Sequence, residues 1–208
     1  MDTLTRLFSS GPLVKIMRLF ILNANTPFEN KDIISRCKVS SSALRTEMAI
    51  LNGVKFIQKK SFFKEVPARS KTGKPKKKRV SGWVLNEDFQ YLDALKSLLV
   101  DSEMVEEKSI MNRFKGAGNI KLLLVSGIFI KEDDGRVDLL IVGDKLKKGS
   151  LDKSLKLMES EVGKELNYSV METSEFNYRL GLYDKFVRDI LDKPHRRIID
   201  KLGVGKKN

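Results

Sequence analysis

The sequence predicts an α+β protein with two domains, and three observations support this. Several segments have apolar residues at helical spacing, whereas other short runs are β-branched or aromatic. Eleven Phe among 41% hydrophobic residues favour packed cores over disorder, although 32% of the residues are charged. Residues 1–86 hold 18 Lys and Arg against 5 Asp and Glu, a net charge of +13, whereas the remaining residues hold 22 of each sign. The predicted organisation is a basic domain at 1–86, a connector helix at 87–104, a second α/β domain at 105–203 and a flexible tail at 204–208.

The first two helices of the basic domain are predicted from apolar spacing and capping residues. Apolar side chains form a helical stripe over residues 12–22. Turn formers follow at 26–30, and Asn30 is the expected N-cap of a short helix that includes Cys37. Cys37 is the sole cysteine, so no internal disulfide or Cys-rich zinc site is possible. We expect a small core residue there, with a redox-sensing thiol as the alternative.

A third helix is predicted to begin at one of three consecutive serines, Ser40, Ser41 or Ser42, and to run to about Asn52 before Gly53. Only a tight turn separates it from the second helix, and its N-terminal end carries small and polar residues. This pattern matches a helix-turn-helix whose second helix enters the major groove of DNA. An arginine on its outer face would bond guanine through two N–H groups, whereas capping is the alternative role for the serines. The DNA contacts expected on this helix are Ser41, Ser42, Arg45 and Thr46.

A long basic β-hairpin is predicted next. Residues 54–63 and 80–85 are β-branched and aromatic, and residues 69–79 between them contain Pro, Gly and Ser with seven positive charges. We expect these charges to follow phosphates beside the minor groove, with a nuclear-localisation sequence as the alternative. Core or interface packing, rather than base stacking, is expected for Trp83 and Tyr91. The cations expected to contact DNA are Lys71, Lys74, Lys76, Lys77, Lys78 and Arg79.

This order of helix, helix, turn, helix and basic hairpin resembles the winged helix-turn-helix of small prokaryotic repressors, especially the arsenic-repressor and multiple-antibiotic-repressor types. The resemblance covers roughly residues 10–86 and depends on the pattern rather than on an invariant motif. It implies a transcriptional regulator that binds double-stranded DNA as a homodimer, because a single winged helix covers few base pairs. For the charge alone, a solvated basic surface and an anionic membrane surface are the alternatives.

The second domain is predicted to alternate helices and strands. The predicted helices lie at 106–114, 151–162 and 175–191. The predicted strands lie at 120–130, 137–142, 166–171 and 197–202.

Two of these strands carry a motif. Ser126 and Gly127 in the first, and the apolar run that contains Asp138, resemble the centre of the minimal nucleotidyltransferase, or polymerase-beta-like, superfamily. In that family a Gly-Ser pair opens a loop over nucleotide phosphates, and an Asp-x-Asp on the next strand holds two magnesium ions. Here Asp138 fits the second aspartate, but Arg136 occupies the position of the first, and the Ser-Gly order is reversed. A third family carboxylate would lie on the strand at 166–171, which contains no acid.

The resemblance therefore implies a degenerate domain that senses a ligand or assists assembly. A cation beside the remaining carboxylate weakens magnesium binding, so we assign no metal site and no catalytic residue. The expected ligand is a nucleotide or another phosphorylated small molecule. The residues expected to hold it are Ser126, Gly127, Arg136 and Asp138. The alternatives are an active Mg-dependent nucleotidyltransferase that uses Asp138, an unrelated α/β domain, a purely structural Asp138, and a toxin–antitoxin-type partner-binding protein.

The sequence also predicts a cytoplasmic protein without membrane segments. Its longest apolar runs fall far short of the roughly 20 residues that span a bilayer. The first residues lack the basic segment, apolar run and cleavage site of a signal peptide.

Overall fold

The computed structural model is an α+β protein, which confirms the predicted class. Its described residues are 3–66, 76–100, 107–132 and 135–204. The chain divides into two compact units, residues 1–102 with 160–164 and residues 103–159 with 165–208. In the described ranges, no helix has both the length and the apolar character needed to cross a membrane.

Five helices of the first unit are described, and their caps differ in part from those predicted. The N-cap of the short helix that contains Cys37 is Glu29 rather than Asn30, and the backbone of Glu29 is extended. The Glu29 N–H donates to Asp32 Oδ2 at 3.3 Å. The side chain of Asn30 instead accepts a hydrogen bond from Trp83 Nε1 at 3.0 Å. Ser40 is the cap of the next helix, because its hydroxyl accepts the Ala43 N–H at 3.1 Å. The helices are α1 (Thr3–Leu7), which was not predicted, α2 (Gly11–Leu22), α3 (Asn30–Cys37), α4 (Ser41–Gly53) and α5 (Leu92–Leu99).

The predicted hairpin is present as strands β1 (Ile57–Val66) and β2 (Lys76–Leu85), which pair antiparallel. Its base is extended by a β-bridge that was not predicted, in which Phe28 and Trp83 exchange backbone hydrogen bonds of 2.8 and 2.9 Å. Gly82 permits this approach, because a Cβ there would lie 2.4 Å from the Phe28 carbonyl oxygen. The hairpin is therefore tied to the segment that precedes α3.

The core of the first unit is apolar and includes side chains from α2, α3, α4 and α5. Phe20 meets Phe28 edge to face, with ring centroids 5.9 Å apart. Cys37 is buried in this core, which confirms its predicted position, and burial raises the pKa of its thiol to about 12. Leu99 of α5 is fully buried in the same core, whereas Tyr91 is 59% exposed and meets Phe89 edge to face, with ring centroids 5.9 Å apart. Core packing is therefore wrong for Tyr91, and interface packing stays a prediction.

The second unit is built on a four-stranded sheet with the order β5-β4-β3-β6. Strand β3 is antiparallel to β4 and β6, and β4 is parallel to β5. The strands are β3 (Asn119–Val125), β4 (Leu139–Asp144), β5 (Tyr168–Glu172) and β6 (Arg196–Asp200). The helices are α6 (Glu107–Arg113), α7 (Lys148–Val162, of which 160–162 belong to the first unit), α8 (Thr173–Gly181) and α9 (Lys185–Asp192).

Two predicted elements of the second unit are shorter than expected. The strand predicted to continue to residue 130 ends at Val125, and a single 3-10 turn spans Gly127–Phe129. The helix predicted at 175–191 is two helices. Tyr183 adopts a left-handed backbone with φ of 54°, and the Asp184 side chain caps α9 by accepting the Val187 N–H at 3.1 Å.

Candidate nucleic-acid interface

The outer face of α4 presents polar groups to solvent. Ser41, Ser42, Arg45 and Thr46, the residues expected to contact DNA, are all exposed. The Thr46 hydroxyl donates to the Ser42 carbonyl at 3.3 Å, and the Ser40 and Ser42 hydroxyls lie 3.0 Å apart. Within the described part of the chain, the Arg45 side chain makes no hydrogen bond or ion pair. Its guanidinium donors are therefore available to an external partner.

Four consecutive cations on β2, Lys76, Lys77, Lys78 and Arg79, are exposed. None of their side chains forms an ion pair with another described residue. The predicted contacts Lys71 and Lys74 lie outside the described residues. Four adjacent charges without carboxylate partners create a strongly positive ribbon.

A fifth hairpin cation, Lys64 on β1, has partners that the sequence analysis missed. Its Nζ lies 3.0 Å from Glu29 Oε1 and 2.7 Å from Asp32 Oδ2. The hydrogen bonds with Asp32 and then Glu29 raise the pKa of Lys64 above its ordinary value. The bond from Lys64 is also the main reason why the pKa of Glu29 is lowered. No local sequence signal marks this contact, because Lys64 and Asp32 are 32 positions apart.

The aromatic residues of the hairpin have different surroundings. Lys59 Nζ lies 5.6 Å from the centroid of the half-buried Trp83 ring, which is a cation–π arrangement. Phe63 lies directly opposite Arg79 and is 71% exposed. The distal part of the hairpin therefore combines free cations with one exposed ring.

In the second unit, the loop between β3 and β4 brings Ser126, Gly127 and Asp138 together. Ser126 is buried, its hydroxyl donates to the Val137 carbonyl, and its N–H donates to the Asp138 carbonyl at 2.9 Å. Gly127 has φ of +55°, and a Cβ there would lie 2.2 Å from Asp138 Oδ1. Only glycine accommodates both this backbone conformation and this close approach.

Both carboxylate oxygens of Asp138 are occupied by backbone donors. Oδ1 accepts the Ile128 N–H at 3.0 Å, and Oδ2 accepts the Asn167 N–H at 2.8 Å. Arg136 is directed to α9, where its Nε and one terminal nitrogen lie 2.9 and 2.7 Å from Asp189 Oδ2. The predicted ligand-binding residues thus form two separate sets of internal contacts.

These contacts do not fit a magnesium site at Asp138. Magnesium requires several oxygen ligands in near-octahedral geometry, whereas each oxygen of Asp138 already accepts one backbone N–H and keeps one further lone pair. The acid at the end of β4, Asp144, is paired with Lys121 at 2.7 Å, and this bond lowers the pKa of Asp144. Among the described residues, no group of three or more His, Cys, Asp or Glu side chains is placed to hold a metal ion.

Comparison of the chain with protein-family models, curated proteins and solved structures gave no match.

Proposed function

We propose that this chain is a DNA-binding transcriptional regulator whose first unit is a winged helix-turn-helix. The observation that carries the proposal is that α4 has an exposed polar face and β2 has four exposed cations, none of which forms an ion pair with a described carboxylate. Double-stranded DNA offers the two features that such surfaces recognise, base edges in a groove and regularly spaced phosphates.

Helix α4 supplies the base-reading element in this proposal. Its side chains Ser41 and Ser42 are small, so the N-terminal end of the helix approaches the groove floor closely. Arg45 lies one turn further along with a free guanidinium, which matches the two acceptors of a guanine in the major groove. The hairpin supplies the phosphate contacts, because the lysines of β2 are point charges without fixed partners.

The second unit is proposed to be a nucleotidyltransferase-like domain without the family's metal site. Strand β5 is the parallel neighbour of β4, and it therefore lies where a third carboxylate would have to approach Asp138. Asn167 precedes β5 there, and its backbone N–H is bonded to Asp138. We propose a sensing or assembly role for this unit, with a phosphorylated small molecule as its ligand, and homodimer formation to pair two DNA half-sites.

The salt dependence of DNA binding tests the proposal. We expect the logarithm of the association constant to fall steeply with the logarithm of salt concentration, because each phosphate contact releases about 0.9 counterion. The triple variant Lys76→Gln, Lys77→Gln, Lys78→Gln is expected to make this slope shallower by about three units. Fluorescence anisotropy with a labelled duplex across a potassium chloride series measures the slope.

A charge-matched control comes from the second unit. The variant Lys148→Gln, Lys153→Gln, Lys156→Gln removes three exposed charges from α7 and is expected to leave the slope within half a unit of the wild-type value. An equal reduction of the salt slope in the two triple variants would show that DNA binding depends only on the net charge of the protein. A wild-type affinity independent of salt would refute DNA binding through these cations.

A further inference from the structure

Lys64 lies on the same hairpin as the free cations but in a different environment. Its ammonium group is 3.0 Å from Glu29 Oε1 and donates to both oxygens of Asp32, at 2.9 and 2.7 Å. Glu29 is the residue that precedes α3, and Asp32 lies in its first turn. Lys64 therefore joins β1 to the beginning of the helix that precedes α4.

Lys78 provides a close comparison, because it lies directly opposite Lys64 in the antiparallel register. Directly opposite residues share one face of a hairpin, with Cβ atoms about 5 Å apart. Lys78 is exposed and makes no ion pair or hydrogen bond within the described ranges. Two lysines on one face thus differ in one respect, the carboxylates that hold Lys64.

Among the described residues, the hairpin is attached to the segment around α3 at two levels. At its base, Trp83 forms the bridge with Phe28 and donates through Nε1 to Asn30 Oδ1 at 3.0 Å, and Trp83 faces Lys59 across the strands. The second level is Lys64, five residues further along β1, which corresponds to about 17 Å toward the tip. A two-stranded ribbon is only marginally stable by itself. Two attachments fix its direction, whereas the basal bridge alone leaves the distal part free to bend.

We propose that Lys64 is a positioning residue, which sets the direction of the hairpin and thereby the place where Lys76, Lys77, Lys78 and Arg79 meet DNA, and that it does not itself contact a phosphate. The inference rests on the DNA-binding function proposed above. Lys64 donates hydrogen bonds to both oxygens of Asp32, and its ammonium group also forms an ion pair with Glu29 Oε1 at 3.0 Å. A phosphate at Lys64 would approach two carboxylates, which repel its negative charge.

The first experiment needs no DNA. Amide hydrogen exchange is measured for wild type, Lys64→Met, Lys64→Arg and Lys78→Met, after circular dichroism has shown that each is folded. We expect exchange of the β1 and β2 amides nearest Lys64 to be roughly two- to five-fold faster in Lys64→Met, the range for loss of an exposed ion pair, and unchanged in Lys78→Met. Lys64→Arg, which keeps a donor group for the same carboxylates, is expected to restore protection. Equal amide exchange rates in Lys64→Met and wild type would show that Lys64 does not hold the hairpin in place, which would overturn the inference.

The second experiment measures the salt slope of DNA binding for the same variants. Lys78→Met is expected to make the slope shallower by about 0.9, as for the loss of one phosphate contact. Lys64→Met is expected to keep the wild-type slope and to bind roughly two- to five-fold more weakly, with recovery in Lys64→Arg. A slope reduced in Lys64→Met as much as in Lys78→Met would make Lys64 a phosphate contact and overturn the inference. Absence of DNA binding by the wild type would instead overturn the proposed function, and the exchange experiment would still decide whether Lys64 anchors the hairpin.

Discussion

The hairpin of the first unit and the β3–β4 loop of the second use polar side chains in opposite ways. On β2, four adjacent cations are exposed and have no carboxylate partner among the described residues. In the loop, the Ser126 hydroxyl, both oxygens of Asp138 and the Arg136 guanidinium are bonded within the protein. The groups available to a binding partner are therefore those without an internal partner, and residue type alone does not identify them.

The energetic reason follows from what each region must give up to bind a ligand. When exposed lysines bind phosphates, the nucleic acid releases its condensed counterions, and this release is favourable. A ligand or metal at Asp138 would have to share the carboxylate with two backbone N–H donors, which hold it in one orientation within the loop. The loop is therefore better described as an internally bonded connection between the two central strands, β3 and β4, than as an open site.

The largest expected effect is that of Asp138→Ala on the second unit. The substitution leaves the N–H groups of Ile128 and Asn167 without their acceptor, and we expect the free energy of unfolding of this unit to fall by about 2–3 kcal/mol. Urea unfolding, monitored by amide hydrogen exchange in β3, β4 and β5, measures this loss of stability. DNA affinity is expected to be unchanged, because no proposed DNA contact lies in this loop.

Glu132→Ala is the matched control, because it removes an exposed carboxylate from the same loop. It is expected to be neutral within about 0.5 kcal/mol. The structural role of Asp138 would be wrong if Asp138→Ala kept wild-type stability and abolished a magnesium-dependent incorporation of labelled nucleotide. That result would favour the active nucleotidyltransferase instead.

Local patterns explain which parts of the fold were predictable. The apolar stripe of α2, the serines that begin α4 and the β-branched flanks of the hairpin are short-range signals, and the structure contains all three elements. The buried position of Cys37 follows from the same periodicity. The break at Tyr183 was missed, because the apolar spacing of α8 and α9 is compatible with one continuous helix.

The remaining features depend on residues far apart in the chain. Phe28 and Trp83 form a bridge across 55 positions, and no local pattern distinguishes Phe28 from a turn residue. In the sequence, nothing distinguishes Lys64 from the other lysines of the hairpin. In the structure, its ion pairs with Glu29 and Asp32 distinguish it from the exposed Lys78. Asp138 was identified by its motif, but the two donors that occupy it come from positions that only the folded sheet brings together.

Arg45→Ala is expected to have the next largest effect, on sequence preference. Loss of a bidentate guanine contact is expected to cost about 1–3 kcal/mol for the preferred site and much less for a site altered at that base pair. Competition binding with a set of single-base-pair operator variants, after genome-wide recovery of bound DNA has supplied the operator, measures the difference. Lys96→Ala on α5 removes one exposed charge from the same unit and is expected to preserve the preference. Uniform weakening across all variants would reduce Arg45 to a phosphate contact.

The smallest expected effect is a pH dependence of the Lys64 contact. Because the pKa of Glu29 is lowered from 4.5, its contribution to stability is present above that value and disappears as the pH falls through its folded-state pKa. Because the pKa of Lys64 is raised from 10.5, its contribution is present below that value and disappears as the pH rises through its higher folded-state pKa. The difference in melting temperature between wild type and Lys64→Met is therefore expected to be constant from about pH 5 to pH 10 and to shrink on both sides.

Lys31, which lies 3.3 Å from Glu29, also stabilises that carboxylate, so Lys31→Met is measured in parallel. Its side chain is 71% exposed, and we expect a smaller difference than for Lys64→Met. In both variants the difference in melting temperature from wild type is expected to shrink at low pH, because both contacts use Glu29. A difference for Lys64→Met that persisted unchanged at pH 3 would mean that the aliphatic stem of Lys64, rather than its charge, holds the hairpin.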